Sequence, residues 1–445
     1  MEDLSYSAIL GRMIFQFWPV WLALVLTYAV SITFKRRLGL YGKLFDSPVG
    51  MIGFGIVMFW VFTALLADYI VTFDPYAVFS GMKNKPLGTA LAGATEGQYS
   101  HFLLGGDALA RDVFSRMVMG ARSVLAIAPA ATAFAFMVGI TLGLPAGYFG
   151  GRLDTGLSFL ANLVLAFPVI LLFYLLVTPE IVEHKILFFG AFLTTEEQLA
   201  CKAAHEAGTA GLSCFGLSIP TMMAALLFIF PVIFVVVLLN ARFFTDPKKR
   251  NLYVGLVVVF GLWAYSGLAF NADPSGELLT SLAQTFPSAA EFLGVETPIR
   301  DIWAMEPNLL NVFVSVVFVN APTVFRIVRG IVMDLKSRDY VAAGQTRGEG
   351  SWYIMLWEIL PNARGPLIVD FCLRIGYTTI LLGTLGFFGL GVAPDSPDWG
   401  STIDEGRKTL TLFPHAALAP ALALMSLVLG LNLLADGLRE ESLRD

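Results

Sequence analysis

Residues 326–364 read RIVRGIVMDLKSRDYVAAGQTRGEGSWYIMLWEILPNAR, and this polar stretch decides how the rest of the chain is interpreted. It lies between two long apolar runs, is basic, and has helix-forming residues on both sides of a break at Gly348 and Gly350. Basic loops of membrane proteins lie on the cytoplasmic side. We therefore expect a compact inner loop that docks a soluble partner; the alternative is a solvated loop that only sets the topology.

The composition is that of a membrane protein. Hydrophobic residues make up 56% of the 445 residues, charged residues make up 14%, and the mean hydropathy is +0.72. A globular chain has about 25% charged residues. The formal net charge of −5 gives no indication of nucleic-acid binding. Together with several long apolar runs, the deficit of charge predicts a polytopic membrane protein.

Nine apolar runs are long enough to cross a bilayer as helices, which requires about 20 residues each. They cover 14–33, 50–72, 123–147, 156–178, 219–240, 252–271, 309–329, 366–390 and 413–435. No strand-like alternation competes with this interpretation, so the expected fold is all-α.

The distribution of Lys and Arg orients these runs. The loops after the first, fifth and seventh runs are basic and are expected inside. Segments 179–218 and 272–308 are rich in acids and are expected outside. Nine spans with an external N-terminus and an internal C-terminus fit every loop. As an alternative, the first run is an interfacial helix, which places the N-terminus inside.

Two cysteines, Cys201 and Cys214, lie in the first acidic outer loop. Because an extracytoplasmic loop permits oxidation, we predict that they form a disulfide; two free thiols are the alternative. His205 lies between them, but the spacing matches no standard metal site. We expect no bound metal.

The sequence contains no recognisable catalytic motif. Gly42-Lys43 is followed by Leu44 and lacks the upstream glycine of a phosphate-binding loop. The apolar runs hold few of the ionisable residues that an ion-coupled carrier needs. We therefore expect no catalytic residue in this chain and an energy source that acts through 326–364. A stand-alone secondary transporter or channel is the rival interpretation.

Eight short motifs follow one another along the chain. They are HFLLGGDALARDVFSRMVMGARSVL (101–125), AGYFGGRLD (146–154), LAFP (165–168), RIVRG (326–330), SRDYVAAG (337–344), ILPN (359–362), GFFGLGVAPDSPDWGSTIDEGR (386–407) and LADGLRE (434–440). In this order they resemble the C-type permease subunit of ATP-binding-cassette (ABC) importers of the dipeptide, oligopeptide and nickel subfamily. Residues 326–364 resemble the cytoplasmic coupling loop of these permeases.

The resemblance implies the transmembrane domain of a type I ABC importer, with six core spans, one extra N-terminal span and two inserted spans. The chain then divides into an N-terminal span with a basic linker (1–45), the first half of the core (46–178), an insert with acidic outer loops (179–308) and the second half of the core (309–445). An even number of inserted spans leaves the orientation of the later spans unchanged.

The resemblance also implies partners and a location. The partners are a second homologous permease, two ABC ATPase subunits that bind ATP and magnesium, and an extracytoplasmic solute-binding protein, in a bacterial cytoplasmic (inner) membrane. This chain would bind no cofactor and would form half of a pathway for peptides or peptide-like solutes. The subfamily also carries nickel chelates, opines and oligosaccharides, and the sequence leaves that choice open.

The coupling-loop resemblance assigns ATPase docking to a set of small, turn and rim residues. They are Asp339, Tyr340, Ala342, Ala343, Gly344, Arg347, Gly348, Glu349, Leu360, Pro361 and Asn362. Ala342, Ala343 and Gly344 are expected to form a flat helix face, and Gly348 is expected to reverse the chain. Two positions depart from the family, since Ala342 replaces its glutamate and Glu358 replaces its histidine.

A second candidate set lies on the expected outer side. It comprises Asp107, Arg111, Asp112, Pro397, Trp399 and Gly400. We interpret these residues as an outer gate or a contact for the binding protein. For the charged residues the alternative is N-capping by Asp107 with surface ion pairing. For Trp399 it is anchoring at the membrane interface.

Overall fold

The computed structural model describes residues 3–37, 39–91, 99–177, 185–187, 216–242, 246–271, 307–390 and 395–442. Its helices are α1 (Tyr6–Gln16), α2 (Trp18–Thr33), α3 (Gly39–Lys43), α4 (Pro48–Leu65), α5 (Ala67–Ile70), α6 (Val113–Phe149), α7 (Gly151–Ala166), α8 (Val169–Val177), α9 (Ile219–Arg242), α10 (Pro247–Asn271), α11 (Pro307–Leu335), α12 (Asp339–Thr346), α13 (Ser351–Tyr353), α14 (Leu360–Asn362), α15 (Arg364–Phe387), α16 (Trp399–Arg407) and α17 (His415–Ser442). The predicted all-α membrane fold is therefore confirmed.

Fewer helices than predicted qualify as membrane spans. Within the described ranges, five helices are long and apolar enough to cross a bilayer, and a sixth is obtained if the bent pair α1–α2 counts as one span. The five are α4, α6, α15 and the apolar parts of α11 and α17. The predicted runs 219–240 and 252–271 form α9 and α10, and 156–178 forms two shorter helices.

The predicted span 156–178 is wrong as a single helix. Helix α7 ends at Ala166, and α8 begins at Val169. Between them Phe167 is extended, with φ −75° and ψ 136°. Pro168 causes the break, because a proline ring disfavours helical geometry in the preceding residue and supplies no N–H for the helical hydrogen bonds.

Helix α2 packs along α4, which favours the spanning interpretation of the first run. At the end of α1, the Gln16 amide donates to the carbonyl of Ile70, the last residue of α5, over 2.7 Å. Within α2, the Tyr28 hydroxyl donates to the carbonyl of Met51 in α4 over 2.5 Å. The pair α1–α2 bends by 54° just before Pro19, at the start of α2.

Two small sheets interrupt the helices, although no strands are expected from the sequence. Strand β1 (Thr89–Ala90) pairs antiparallel with β2 (His101–Phe102), and β3 (Lys185–Leu187) pairs antiparallel with β4 (Gly216–Ser218). These strands have two or three residues each, which is too short for a periodicity of two to be recognised.

The predicted disulfide between Cys201 and Cys214 lies outside the described residues.

The chain divides into two compact units, one formed by 1–132 with 364–445 and the other by 133–363. The core of the second unit is a close contact between α6 and α11. A Cβ atom added to Gly139, Gly143 or Gly147 would lie within 2.5–2.8 Å of valine side chains on α11. These valines are Val324, Val328 and Val332. The spacing of four residues on both helices lets their backbones approach as in small-residue membrane interfaces.

Candidate functional site

The coupling segment, defined as residues 336–363, begins directly after α11 with a helix and a sharp turn. Gly348 has φ +80°. Its N–H donates to the carbonyl of Gln345 over 3.0 Å, and the N–H of Glu349 donates to the carbonyl of Gly344 over 3.2 Å. This pair of bonds is the Schellman motif that ends a helix at a left-handed glycine. The expected chain reversal at Gly348 is confirmed.

After the turn, the segment continues through α13, a π-helical turn over Ile354–Ile359 and α14. Pro361 lies at the start of α14 and supplies no N–H for the helix before it. The Asn362 side chain donates to the carbonyl of Glu358 over 2.6 Å. The Leu-Pro-Asn motif therefore ends the irregular helix. Both Pro361 and Asn362 are exposed, whereas Leu360 is half-buried.

The exposed residues of α12 include two small side chains, beside Asp339, Gln345 and Thr346. Ala342 and Ala343 are exposed, whereas Gly344 is buried. A Cβ atom on Gly344 would be in van der Waals contact with Ile354 at 3.6 Å. The expected flat face thus consists of the two alanines, and Gly344 packs inward against the second half of the segment. Of the remaining docking residues, Asp339 is exposed, and Tyr340 and Glu349 are half-buried.

Arg347 binds within the segment. Its guanidinium donates to the Glu358 carboxylate over 2.6 Å and lies 4.0 Å from the carboxylate of Glu349. Arg347 therefore links α12 to the π-helical turn, and its role as a rim contact stays a prediction. Glu358, which departs from the family, is the other half of this pair.

The inner end of α11 is tied to α6 and α7 by polar contacts that the sequence analysis does not single out. Arg329 makes a bidentate contact with the Asp154 carboxylate and holds the pKa of that carboxyl below its usual value. The Lys336 ammonium donates to the carbonyl of Gly147 over 3.0 Å. The signal in the sequence is that Arg329 and Asp154 lie inside motifs that resemble those of the family, whereas Lys336 lies outside them.

The first unit contains the outer charge cluster, which we define as Asp107, Arg111, Arg116 and Glu405. The side chains of the first three are at most 3% exposed, so surface ion pairing is ruled out. Arg111 Nε lies 2.7 Å from an Asp107 oxygen, and a second nitrogen contacts Glu405. The charges of the two arginines and the two carboxylates cancel within this cluster. Buried charges need such pairing. Glu405 is not among the residues predicted from the sequence, although it lies inside the motif of 386–407.

Arg116 connects α6 to the loop before α16. Its guanidinium donates to the carbonyls of Ser396, over 2.8 Å, and Asp395, over 3.2 Å, and to the Thr402 hydroxyl over 3.3 Å. An arginine has five N–H donors, so one side chain can hold two backbone carbonyls and a hydroxyl. The position of the 395–398 loop therefore depends on Arg116.

The Trp399 side chain is packed inside the protein and is not exposed to lipid. It is completely buried, and its indole N–H donates to the carbonyl of Met117 over 2.8 Å. Pro397 and Gly400 are also buried, and Gly400 lies in direct contact with α15 at Gly383. Anchoring by Trp399 is therefore wrong, because a bilayer anchor needs an exposed ring. The three residues fix α16 in the interior.

The cap of α6 is Asp112 and not Asp107. An Asp112 oxygen accepts from the N–H of Ser115 over 2.9 Å, from its hydroxyl over 2.6 Å, and from the Thr72 hydroxyl over 3.0 Å. Asp107 instead accepts from the N–H groups of Leu109 and Arg111 in the turn before the helix. Burial raises the pKa of the Asp112 carboxyl to about 6.

The raised pKa of Asp112 predicts a stability that depends on pH. A carboxyl with a raised pKa in the folded state stabilises that state at low pH, and the contribution is lost as the pH rises through about 6. We expect the unfolding temperature to fall between pH 4 and 7, corresponding to a free energy on the order of 2–3 kcal/mol. The carboxyls of Asp398 and Glu405, whose pKa values are also raised by burial, act in the same direction.

The neutral isostere Asp112→Asn separates this contribution from the others, since an amide oxygen can still cap α6. Thermal unfolding of the purified protein should show a shallower pH dependence in Asp112→Asn than in the wild type. An unchanged pH dependence would show that Asp112 keeps its ordinary pKa in the folded protein.

One predicted span carries a charged pair. In α15, Arg374 Nε donates to the carboxylate of Asp370 over 2.8 Å, one helical turn away. The two side chains are 10% and 18% exposed. The expectation of few ionisable groups in the spans therefore needs correction here, but the two charges neutralise each other within one helix.

Comparison with known proteins gives a family and several relatives. A family model described as "Binding-protein-dependent transport system inner membrane component" matches residues 210–440. The glutathione transport system permease protein GsiD of Pectobacterium atrosepticum is 36% identical over 149 residues, which are 34% of this chain and 50% of that protein. Proteins of the same name from Escherichia coli O1:K1 and Shigella flexneri serotype 5b are each 35% identical over 149 residues, 34% of this chain and 49% of theirs.

The two kinds of match differ in extent. The chain spans about half the length of the curated relatives it matches. The family match covers more than half of the chain and includes the whole coupling segment. It begins at residue 210, inside the predicted insert of 179–308, whereas the motifs of 101–168 precede it.

Proposed function

Because the chain belongs to the family of binding-protein-dependent transport system inner membrane components, we propose that it forms half of the translocation pathway of an ABC importer. The fold is that of the transmembrane domain of a type I ABC importer. The chain is an inner membrane component with several apolar helices of spanning length. It acts as a permease and hydrolyses no nucleotide itself.

The observation that carries the proposal is the coupling segment. A short helix with an exposed alanine face lies directly after α11, and its position is fixed by the Gly348 turn and the Arg347–Glu358 ion pair. A helix that enters a groove on a partner needs small residues where the backbones approach. Ala342 and Ala343 provide this face toward an ATPase subunit.

The partners follow from this role. Two ABC ATPase subunits bind ATP and magnesium and dock on the coupling segments of this chain and of a second, homologous permease. An extracytoplasmic binding protein delivers the solute. ATP binding opens the cavity outward and hydrolysis returns it inward, so this chain needs no cofactor of its own. The buried outer charge cluster fixes the frame of the outer mouth without touching the binding protein itself.

The solute is a peptide or a peptide-like compound. The similar proteins of Pectobacterium atrosepticum and Escherichia coli are named as glutathione transport permeases, and glutathione is a tripeptide. Nickel chelates, opines and oligosaccharides remain alternatives within the same importer type. A stand-alone secondary transporter is disfavoured, because the charged pair found in α15 is neutralised within its own helix.

Site-specific cross-linking tests the docking assignment. Ala343 is exposed on α12. In native membranes, Ala343→Cys should therefore form a cross-link to a nucleotide-hydrolysing subunit. The matched control is Leu109→Cys, since Leu109 is 48% exposed and lies on the expected outer side. Absence of an ATPase from the purified complex, or equal capture by both cysteines, would contradict the proposal. Solute uptake by vesicles that contain this chain without ATPase subunits would support the secondary transporter.

A further inference from the structure

Helices α9 and α10 form a hairpin that has no role in the proposed function described above. The two helices pack closely, since a Cβ atom on Gly261 would lie 2.7 Å from Val232. Helix α9 also packs against α11, the helix that leads into the coupling segment. The hairpin is therefore attached to one of the two long helices that the coupling segment connects.

The C-terminal residue of α9 reaches the coupling segment itself. The guanidinium carbon of Arg242 lies 5.4 Å from the centre of the Trp357 ring, within the range of a cation–π interaction. Helix α9 also lies against α13, immediately before the turn that contains Trp357. The side chain of Arg242 is exposed, so its charge remains solvated while its planar group stacks on the indole.

The π-helical turn places Trp357 where Arg242 can reach it. In a π-helix each hydrogen bond spans one more residue than in an α-helix, and such turns are frequently found at functional sites. In this turn Ile354, Met355, Leu356 and Ile359 are buried, whereas Trp357 and Glu358 are half-buried. The two half-buried residues are the ones that bind outside the turn. Trp357 contacts Arg242, and Glu358 contacts Arg347.

We propose that Arg242 is a positioning residue whose contact with Trp357 holds the coupling segment against the α9–α10 hairpin. We call this contact the brace. It lets movement of the ATPases be transmitted through the coupling segment to α11. The inference rests on the proposed function for its consequence in transport, but the brace itself is a property of this chain. Arg347 contacts the turn at Glu358 and Arg242 contacts it at Trp357, so the second half of the segment is held at two points. Without Arg242 the half-buried face of the turn keeps only its contact at Glu358 among these two, beside the packing of its buried residues.

Hydrogen–deuterium exchange of peptides covering 351–362 tests the brace directly. Measured on the purified full-length chain, both alone and in the assembled importer, Arg242→Ala should raise their exchange about two- to fivefold, as expected for loss of an exposed cation–π contact. Arg242→Lys, which keeps the cation, should restore most of the protection. Trp357→Leu should have the same effect as Arg242→Ala, and the double variant should add nothing further.

The matched control is Lys248→Ala, which removes an exposed cation from the start of α10 without touching Trp357. Its exchange at 351–362 should equal that of the wild type. If Arg242→Ala and Lys248→Ala give the same exchange, or if the effects of Arg242→Ala and Trp357→Leu add, the brace is wrong.

A second readout connects the brace to transport. The number of ATP molecules hydrolysed per solute imported should rise about twofold in Arg242→Ala and remain unchanged in Lys248→Ala. The exchange measurement on this chain alone separates the two hypotheses, because it responds to the brace even if no ATPase docks. Faster exchange without an associated ATPase would overturn the proposed function alone, and unchanged exchange in a functional importer would overturn the brace alone.

Discussion

Replacement of Gly348 by valine is expected to abolish coupled import. Gly348 has φ +80°, a left-handed conformation that costs a residue with a side chain about 1–2 kcal/mol and a β-branched residue more. Such strain corresponds to about a tenfold or larger shift of the turn away from its native conformation. Helix α12 then loses its fixed angle to α13, and either ATP hydrolysis continues without import or the ATPases no longer co-purify.

Gly350→Val is the matched control. Gly350 has φ −67° and ψ 150°, which any residue adopts, and a Cβ atom would meet open space at both glycines. The only difference between the two variants is therefore the backbone conformation. Import should be close to normal in Gly350→Val. Coupled import at the wild-type rate in Gly348→Val would show that the angle of the turn does not matter for docking.

Arg111→Met is expected to cause the largest loss of stability. The side chain of Arg111 is 2% exposed, and its removal leaves Asp107, at 3% exposed, without its closest cation. Breaking a buried ion pair by removing one partner costs about 3–5 kcal/mol. The unfolding temperature in detergent should fall by about 10 °C. The double variant Arg111→Met/Asp107→Asn restores the charge balance of the cluster and should recover part of the loss.

The control for this prediction is Arg122→Met. Arg122 also pairs with an aspartate, Asp68, but the two side chains are 41% and 69% exposed. Because exposed pairs contribute little to stability, the unfolding temperature should hardly change. Equal effects of Arg111→Met and Arg122→Met would mean that burial of the outer charge cluster is not what makes its ion pairs important.

The parts of the structure that follow local rules could be predicted from the sequence. Gly348 ends α12 as expected, because a left-handed turn needs a glycine and the helix before it has small, helix-compatible residues. The positions of most membrane helices followed from apolar runs of sufficient length. The break at Phe167-Pro168 also obeys a local rule, but the apolar run continues across it and hides the change of direction.

The parts that depend on contacts distant in sequence could not be predicted. Arg111 and Glu405 are separated by 294 positions, and nothing in either local sequence indicates which partner each finds. The burial of Trp399 has the same origin, since its ring fills a space beside Gly120 on α6. A tryptophan near an outer helix end resembles an interface anchor until the helix that covers it is known.

Because α11 is one unbroken helix, a small tilt at one end moves the other end over a larger distance. Helix α11 has 29 residues, so it is about 44 Å long, and a tilt of about 10° at its cytoplasmic end carries the opposite end through about 8 Å. The glycine stripe on α6 makes the neighbouring helix turn with it as one stiff bar. In the proposed importer, such a tilt at the coupling segment would move the far end of α11 by enough to open or close a passage for a small solute.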